Sequence, residues 1–262
     1  MNKSKLLKTI IAIFVLAVLI IGGYVHKDAI QSRIARTAAV VSGQEIKPLL
    51  DSESHYIRQI VAQDNSTSRT IMWQSDSSEA DAVIEYRLVG SDTTQTISAT
   101  DKAFTDDGST TYIHEGTVTG LTPNTKYEYR VGYGDDRRSE WYSLETAGSS
   151  VYDVLIYPDS QSGDYSAWEQ IVKDSAHRNP RTALYISMGD LVDNGEQDYQ
   201  WRTWLNSIRP LSATVPLAPT LGNHEMYTLD WKMREPRAYL NYFDVPPNGN
   251  EIFNRRYYSY DF

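Results

Sequence analysis

The chain has 262 residues, 40% hydrophobic and 23% charged, a composition typical of folded proteins and a length greater than one average domain. Its net charge of −9 argues against a nucleic-acid binder, because a protein that neutralises phosphates needs a basic surface. Cysteine is absent, which excludes disulfides, thiolate metal sites and lipid anchors attached to cysteine.

The N-terminal segment predicts one membrane helix. Lys3, Lys5 and Lys8 precede an uncharged apolar run from Thr9 to Val25, which can cross most of a hydrocarbon layer of ~30 Å. Residues 1–26 are therefore either a cleaved signal peptide or an uncleaved anchor whose lysines stay in the cytoplasm. The length of the run favours the anchor. Both alternatives place the remainder outside the cytoplasmic membrane.

Two further segments follow. Residues 27–52 mix charges with Ala, Ser and Thr and predict a linker. Residues 53–148 alternate short β-rich runs with polar turn residues, which is typical of an all-β sandwich. In LTPNTKYEYRV, Tyr127 begins a strand, where its hydroxyl can hold the preceding corner. This segment resembles a fibronectin type III module with Trp73 as its core tryptophan, and both residues are predicted to be structural.

Residues 149–262 alternate strands with helices. YDVLIYP, TALYISMGD and VPLAPTLGNHE read as buried strands, the third being short and interrupted by proline. The apolar face predicted for the first helix contains Trp168, Ile171 and Val172. The second helix spaces its apolar residues at i, i+3, i+4 and i+7: Trp201, Trp204, Leu205 and Ile208. The successive crossovers predict an α/β domain with a largely parallel sheet.

Polar side chains follow each of these strands. Asp159 and Gln161 follow the first, Asp190 the second, and Asn223 and His224 the third. Each segment alone is usually a helix cap or a turn. Three of them, at the carboxyl ends of three buried strands, predict one shared site. Their oxygen donors suit Mn, Mg, Fe or Zn.

The pattern of Asp159-x-Gln161, then GDxx, then GNHE resembles the calcineurin-like metallophosphoesterase superfamily. With GLTPNTKYEYRVG ahead of it, the chain is most similar to the purple acid phosphatase branch over residues 56–262. The resemblance implies a binuclear centre of divalent or trivalent ions, Fe, Mn or Zn. Asp159 and Gln161 would bind the first ion, Asp190 would bridge, and Asn223 would bind the second ion.

The resemblance also implies that Asn223 and His224 contact the substrate, with His224 as the catalytic proton donor to the phosphoryl group or its leaving oxygen. Asp193 stands where purple members carry the tyrosine that gives their colour, so we expect a colourless protein. Gln161 stands where many relatives have histidine, which leaves the metal preference open.

The family completes its site with three histidines after GNHE. The four other histidines of this chain all precede that motif: His26, His55, His114 and His177. Each is interpreted as an ordinary core or solvated histidine. We therefore expect a fragment cut inside the catalytic domain, with weak metal binding and no activity of its own.

The leading interpretation is an extracytoplasmic metal-dependent phosphatase, membrane-anchored or secreted, that hydrolyses small phosphate monoesters and binds no nucleic acid. Two alternatives stay open. One is a phosphodiesterase of the same superfamily, because the part of the catalytic domain in this sequence does not distinguish a diesterase from a monoesterase. The other is a noncatalytic surface-binding module with a vestigial phosphatase domain.

Overall fold

The structure of the protein, a computed structural model, describes residues 54–79 and 81–262. The predicted membrane segment 1–26 and linker 27–52 lie outside the described residues. No helix within 54–79 and 81–262 has the length and apolar character needed to cross a membrane.

The first part of the described chain is an antiparallel sandwich. Its strands are β1 (His55–Ile60), β2 (Arg69–Ser75), β3 (Ala82–Leu88), β4 (Gln95–Ser98), β5 (Lys102–Asp106), β6 (Ser109–Val118), β7 (Lys126–Tyr133), β8 (Arg137–Arg138) and β9 (Tyr142–Glu145). One layer has the order β1-β2-β6-β5. The other has the order β4-β3-β7, with β8 and β9 both paired to β7.

Two of these strands, β5 and β8, lie outside the short β-rich runs of the sequence. In β5 only Phe104 is buried, and β8 has two residues, so neither strand carries a clear alternation. Trp73 lies in the sandwich core, as predicted, and its indole N–H donates to the Tyr133 hydroxyl at 2.9 Å. The Tyr127 hydroxyl accepts the backbone N–H of Thr122 at 3.0 Å, which confirms that it holds the corner.

The second part of the chain is α/β. Its elements are β10 (Asp153–Tyr157), α1 (Ser166–Arg178), β11 (Thr182–Ser187), α2 (Asp198–Ser207), α3 (Arg209–Ser212), β12 (Leu217–Pro219) and α4 (Arg237–Tyr242). Single 3-10 turns cover His224–Met226 and Glu251–Phe253. The pairs β10–β11 and β11–β12 are parallel, which confirms the predicted parallel sheet.

Helix packing matches one prediction and corrects another. The four apolar residues predicted on α2 and just after it are all buried. On α1, Trp168 and Val172 are buried, whereas Ile171 is 54% exposed, so its predicted place on the buried face is wrong. The stripe that packs on the core also includes Tyr165 and Ala176. It is therefore centred on the side of the helix away from Ile171.

One sheet runs through both parts of the chain. Strand β12 pairs in parallel with β1, where Ile60 lies opposite Leu217 and the Val61 N–H donates to the Leu217 carbonyl at 3.0 Å. The sheet order is β10-β11-β12-β1-β2-β6-β5. The sandwich and the parallel strands therefore share a continuous backbone network across the predicted boundary at residues 148 and 149.

Candidate metal centre

The three strand-end segments meet at Asp190. The backbone N–H groups of Ser160 and Gln161 donate to its carbonyl oxygen at 3.1 and 2.9 Å. The backbone N–H of His224 donates to its carboxylate Oδ1 at 2.9 Å. The residues that follow β10 and β12 are therefore both hydrogen-bonded to the residue that follows β11.

Close approach of the backbone explains the glycines in these segments. A Cβ added to Gly222 would lie 2.1 Å from Asp190 Oδ1, and one added to Gly189 would lie 2.9 Å from the Gly222 nitrogen. Asp190 itself has a φ of 45°, a conformation that is uncommon for residues other than glycine. The loops after β11 and β12 therefore touch through their main chains.

A fully buried carboxylate, that of Glu225, joins the same loops. Its Oε1 accepts the N–H groups of Leu191 at 2.7 Å and Val192 at 3.3 Å. Its Oε2 accepts those of Asp190 at 3.0 Å and Gly222 at 2.8 Å. Burial raises the pKa of Glu225 to about 7; the N–H donors oppose this shift, and the Asp190 charge adds to it.

Sequence reasoning gave Glu225 no role at the site. The available signal was the family motif itself, which ends in an acidic residue, GNHE or GNHD. Glu225 acts on the site without contacting a bound ligand. The four backbone N–H groups that donate to its carboxylate hold Asp190 and Gly222 in position. We therefore describe Glu225 as a positioning residue for these loops.

The predicted metal ligands differ in exposure. Asp159 and Asn223 are exposed, and Gln161 and Asp190 are partly buried. Gln161 Oε1 is buried and has no hydrogen-bond partner in the described part of the chain. An oxygen atom in this state is open to a cation, since buried oxygens otherwise find a donor.

Two carboxylates and two amide oxygens form a donor set that suits hard cations, so these residues fit part of a metal centre. Among residues 54–79 and 81–262 there is no group of three or more His, Asp or Glu side chains that could hold a metal ion. The described residues therefore supply part of the coordination that two ions would need.

The ring of His224 is held from two sides. Its Nδ1 lies 2.8 Å from the Asp193 carbonyl oxygen and 3.7 Å from the Asp193 carboxylate. The carbonyl can only accept, so Nδ1 carries the proton of this bond. Tyr227 and Trp231 contact the ring edge to face, with centroids at 5.4 and 6.0 Å. Nε2 is the nitrogen left to meet a substrate.

The other described histidines lie away from the strand ends. His55 on β1 and His114 on β6 are buried, and burial lowers the pKa of both. His177 is exposed in the last turn of α1. These positions match the interpretation of core or solvated histidines, and His26 lies outside the described residues.

The parallel strands carry oxygen-rich loops beyond their carboxyl ends, the usual place for a functional site in an α/β domain. Two family models match the chain. The one described as "Purple acid Phosphatase, N-terminal domain" matches residues 56–146, and the one described as "Calcineurin-like phosphoesterase" matches residues 152–261. The chain therefore carries a purple acid phosphatase N-terminal domain followed by a calcineurin-like phosphoesterase domain, which confirms the resemblance seen in its motifs.

Individual relatives agree with this family. "Probable inactive purple acid phosphatase 1" of Arabidopsis thaliana is 29% identical over 136 residues, covering 44% of this chain and 22% of the relative. "Phosphoenolpyruvate phosphatase" of Allium cepa is 27% identical over 166 residues, covering 58% and 33%. The chain thus spans about a fifth to a third of the length of these relatives.

The fold has a counterpart among solved structures. A purple acid phosphatase from seeds of yellow lupin (Lupinus luteus) matches with a TM-score of 0.63 and 20% identity, covering 76% of this chain and 42% of that chain. This likeness supports the order observed here, a sheet-rich N-terminal domain followed by an α/β phosphoesterase fold.

Proposed function

We propose that the protein is a metal-dependent phosphatase that hydrolyses small phosphate monoesters at a binuclear centre. The observation that carries the proposal is the meeting of three strand-end segments at Asp190. In this proposal Asp159 and Gln161 hold one ion, Asp190 contributes to both, and Asn223 holds the other. The buried, unpartnered oxygen of Gln161 supports its part in the set.

Two bound cations would supply charge neutralisation at the phosphoryl oxygens and activation of the attacking water. His224 supplies the proton. Because its Nδ1–H is held by the Asp193 carbonyl, a protonated ring presents Nε2–H, which can donate to the leaving oxygen. The product alcohol then leaves with that proton, and inorganic phosphate is the second product.

Metal analysis tests the role of Asp190. A form of the protein that retains bound metal, and its Asp190→Asn variant, are dialysed against Mn²⁺ or Zn²⁺ and analysed for bound metal. A bridging carboxylate serves both ions, so the variant is expected to lose all of the metal that the wild type retains. A variant that keeps the full wild-type content would contradict the bridging role.

Kinetics tests the role of His224. In a form of the protein that hydrolyses phenyl phosphate, His224→Ala is expected to keep its metal and lose roughly 10²- to 10⁴-fold in kcat, the usual contribution of a general acid. The loss is expected to be smaller for an ester with a more acidic leaving group, which needs less protonation. Equal losses for both esters would remove His224 from the acid role.

Phosphodiesterase activity, the alternative, is distinguished from phosphomonoesterase activity by the choice of substrate. Bis(p-nitrophenyl) phosphate is a diester, and we expect its hydrolysis to be much slower than that of the monoester p-nitrophenyl phosphate. The reverse order would identify a phosphodiesterase.

A noncatalytic module is the second candidate function. It is favoured by the names of several relatives, which call those proteins probable inactive phosphatases, and by the short ligand set of the described residues. From these 262 residues alone we expect weak metal binding and little hydrolysis. Turnover of about 1 s⁻¹ or more would be an ordinary enzyme rate and would contradict that expectation.

We further propose that residues 1–26 place the remainder outside the cytoplasmic membrane, and that residues 53–148 are a fibronectin type III-like domain. The basic flank and apolar run support the first statement. The two-layer sandwich and the Tyr127 corner support the second. Protease added to intact cells is expected to remove the sandwich; its full protection would contradict the placement.

A further inference from the structure

A short hairpin follows the GNHE segment and folds back onto it. In this hairpin, residues 227–233, the Thr228 N–H donates to the Lys232 carbonyl and the Trp231 N–H donates to the Thr228 carbonyl, both at 2.8 Å. Tyr227 and Met233 form an antiparallel bridge at its base. The hairpin has its own backbone bonds, so it presents its side chains in a fixed arrangement.

Neighbouring elements anchor the hairpin. The Asn194 side chain donates to the Thr228 carbonyl, and the Leu229 N–H donates to Glu196 Oε2 at 2.7 Å. Arg234, just after the hairpin, forms a two-point ion pair with Asp106 at the end of β5. The loop after β11 and the sandwich therefore both hold the hairpin in place.

Trp231 has a φ of 60°, in the left-handed region that bulky side chains rarely adopt. Such a conformation persists only where surrounding contacts impose it. Here the indole ring packs on Tyr227 at 5.3 Å and on His224 at 6.0 Å between centroids. The strained residue thus closes an aromatic cluster around His224.

Tyr227 contacts both functional residues of the GNHE segment. Its hydroxyl accepts a hydrogen bond from Asn223 Nδ2 at 3.3 Å, and its ring lies against His224 at 5.4 Å. An amide whose nitrogen is engaged in this way leaves Oδ1 as the atom available to a cation. In metal sites generally, a hydrogen bond from a neighbouring residue to a metal ligand fixes the orientation of that ligand.

We propose that Tyr227 is a positioning residue that sets the amide orientation of Asn223 and supports the ring of His224, with Trp231 closing the cluster behind it. Its effect on metal binding rests on the function proposed above. Its effect on the side chains of Asn223 and His224 is independent of that function, because both contacts are observed within this chain. No covalent step is required of Tyr227.

Tyr227→Phe tests the proposal, because it removes the hydroxyl and keeps the ring. NMR of the full chain is expected to show that the Asn223 side-chain amide, ordered in the wild type, becomes mobile in the variant. The His224 ring signals are expected to stay close to their wild-type positions, since the ring contact remains. An Asn223 amide that is already mobile in the wild type, or unchanged in the variant, would overturn the proposal.

Tyr257→Phe is the matched control. Tyr257 is 52% exposed, and its hydroxyl likewise accepts one hydrogen bond, from the Asn250 N–H at 3.2 Å. The same atom and the same number of bonds are lost in this variant, far from the GNHE segment in sequence. Tyr257→Phe is expected to leave the Asn223 amide signals unchanged. A change in these signals would show that loss of any tyrosine hydroxyl mobilises Asn223, and not loss of the Tyr227 hydroxyl in particular.

Calorimetric titration with Mn²⁺ alone measures the consequence for the site. Loss of a contact behind a ligand typically weakens metal affinity by about 10- to 100-fold, which is the expected change for Tyr227→Phe. Unchanged affinity would overturn the positioning role at the metal. If the wild-type chain binds no Mn²⁺, the metal centre proposed for these residues fails, and the NMR comparison alone decides the positioning of Asn223.

Discussion

The sandwich core and the strand-end site provide hydrogen-bond partners for their backbone groups in different ways. In the sandwich, Trp73, Ile84 and Val131 are buried among apolar neighbours, and strand pairing provides the backbone partners. At the strand ends pairing has stopped. There the Glu225 carboxylate accepts four backbone N–H groups, and glycine allows two loops to touch through their main chains.

This difference indicates what each region tolerates. A substitution in the sandwich changes the volume of a side chain, and neighbouring side chains can move in response. A substitution at the strand ends removes a backbone partner or moves a main chain, and neither can be repaired by a change of rotamer. The site is therefore the more demanding region, although its residues are less apolar.

The largest expected effect is that of Glu225→Ala. Four N–H groups, two buried and two partly buried, lose their acceptor; each orphaned group costs about 1 kcal/mol or more, so the free energy of unfolding is expected to fall by about 4 kcal/mol. Urea denaturation followed by circular dichroism measures it. Glu251→Ala, at an exposed position, is the control and is expected to change stability by less than about 0.5 kcal/mol. Equal effects in both variants would contradict the role of Glu225.

A second comparison places the same substitution in both regions. In Gly222→Ala the new Cβ would meet the Asp190 backbone nitrogen at 2.3 Å, and a main chain must shift, at a cost of about 3 kcal/mol. In Gly116→Ala, on β6, the nearest atom is Ile84 Cδ1 at 2.8 Å, the end of a flexible side chain. We expect a change below about 1 kcal/mol there. Similar losses in urea denaturation would remove the distinction between the regions.

The pH dependence of stability tests the sandwich side. Burial lowers the pKa of His55 from 6.5 to about 4; Asp76 opposes the shift, while Arg202 and Arg58 add to it. A neutral buried histidine contributes stability that is fully present above pH 6.5 and is lost as the pH falls toward 4. We expect a loss of about 2 kcal/mol between pH 7 and 4.5 that is absent in His55→Gln.

The control for this pH dependence is His177→Gln, because His177 is exposed. Its unfolding free energy is expected to follow the wild type at every pH between 7 and 4.5. Other groups also titrate in this range, so the difference between variant and wild type is the quantity that counts. A His55→Gln profile parallel to the wild type would show that His55 does not contribute.

The smallest expected effect concerns the contact between the two regions. Asp106→Asn weakens the ion pair with Arg234, whose guanidinium keeps the Gly195 carbonyl at 3.2 Å and Glu196 at 3.6 Å. We expect a loss of about 1 kcal/mol, because both partners of the original pair are largely buried. Protection of the Thr228 and Trp231 amides from hydrogen exchange is expected to fall with it, since Arg234 anchors their hairpin.

Glu145→Gln provides the matched comparison. Glu145 pairs with Lys126 at 3.9 Å, and both side chains are more than half exposed, so this pair is expected to contribute almost nothing measurable. If the two variants lose the same stability and show the same hydrogen exchange, the ion pair of Asp106 is no more than an ordinary surface contact.

The sequence by itself determined the features that lie within a few residues of one another. The period of α2 identified its buried residues, and Tyr127 could be assigned to its corner because Thr122 is five positions away. The family was evident from Asp190 and the GNHE segment, each a short contiguous motif. The same local pattern placed Ile171 wrongly, because periodicity gives the spacing of a face and packing decides where that face is centred.

Only the tertiary structure decided the contacts between distant segments. The pairing of β1 with β12 and three of the four bonds to Glu225 join residues far apart in the chain. Their physical reason lies in the main chain. Every residue except proline carries the same N–H donor, so residue types do not record which donors a buried carboxylate will accept or which loop ends will touch.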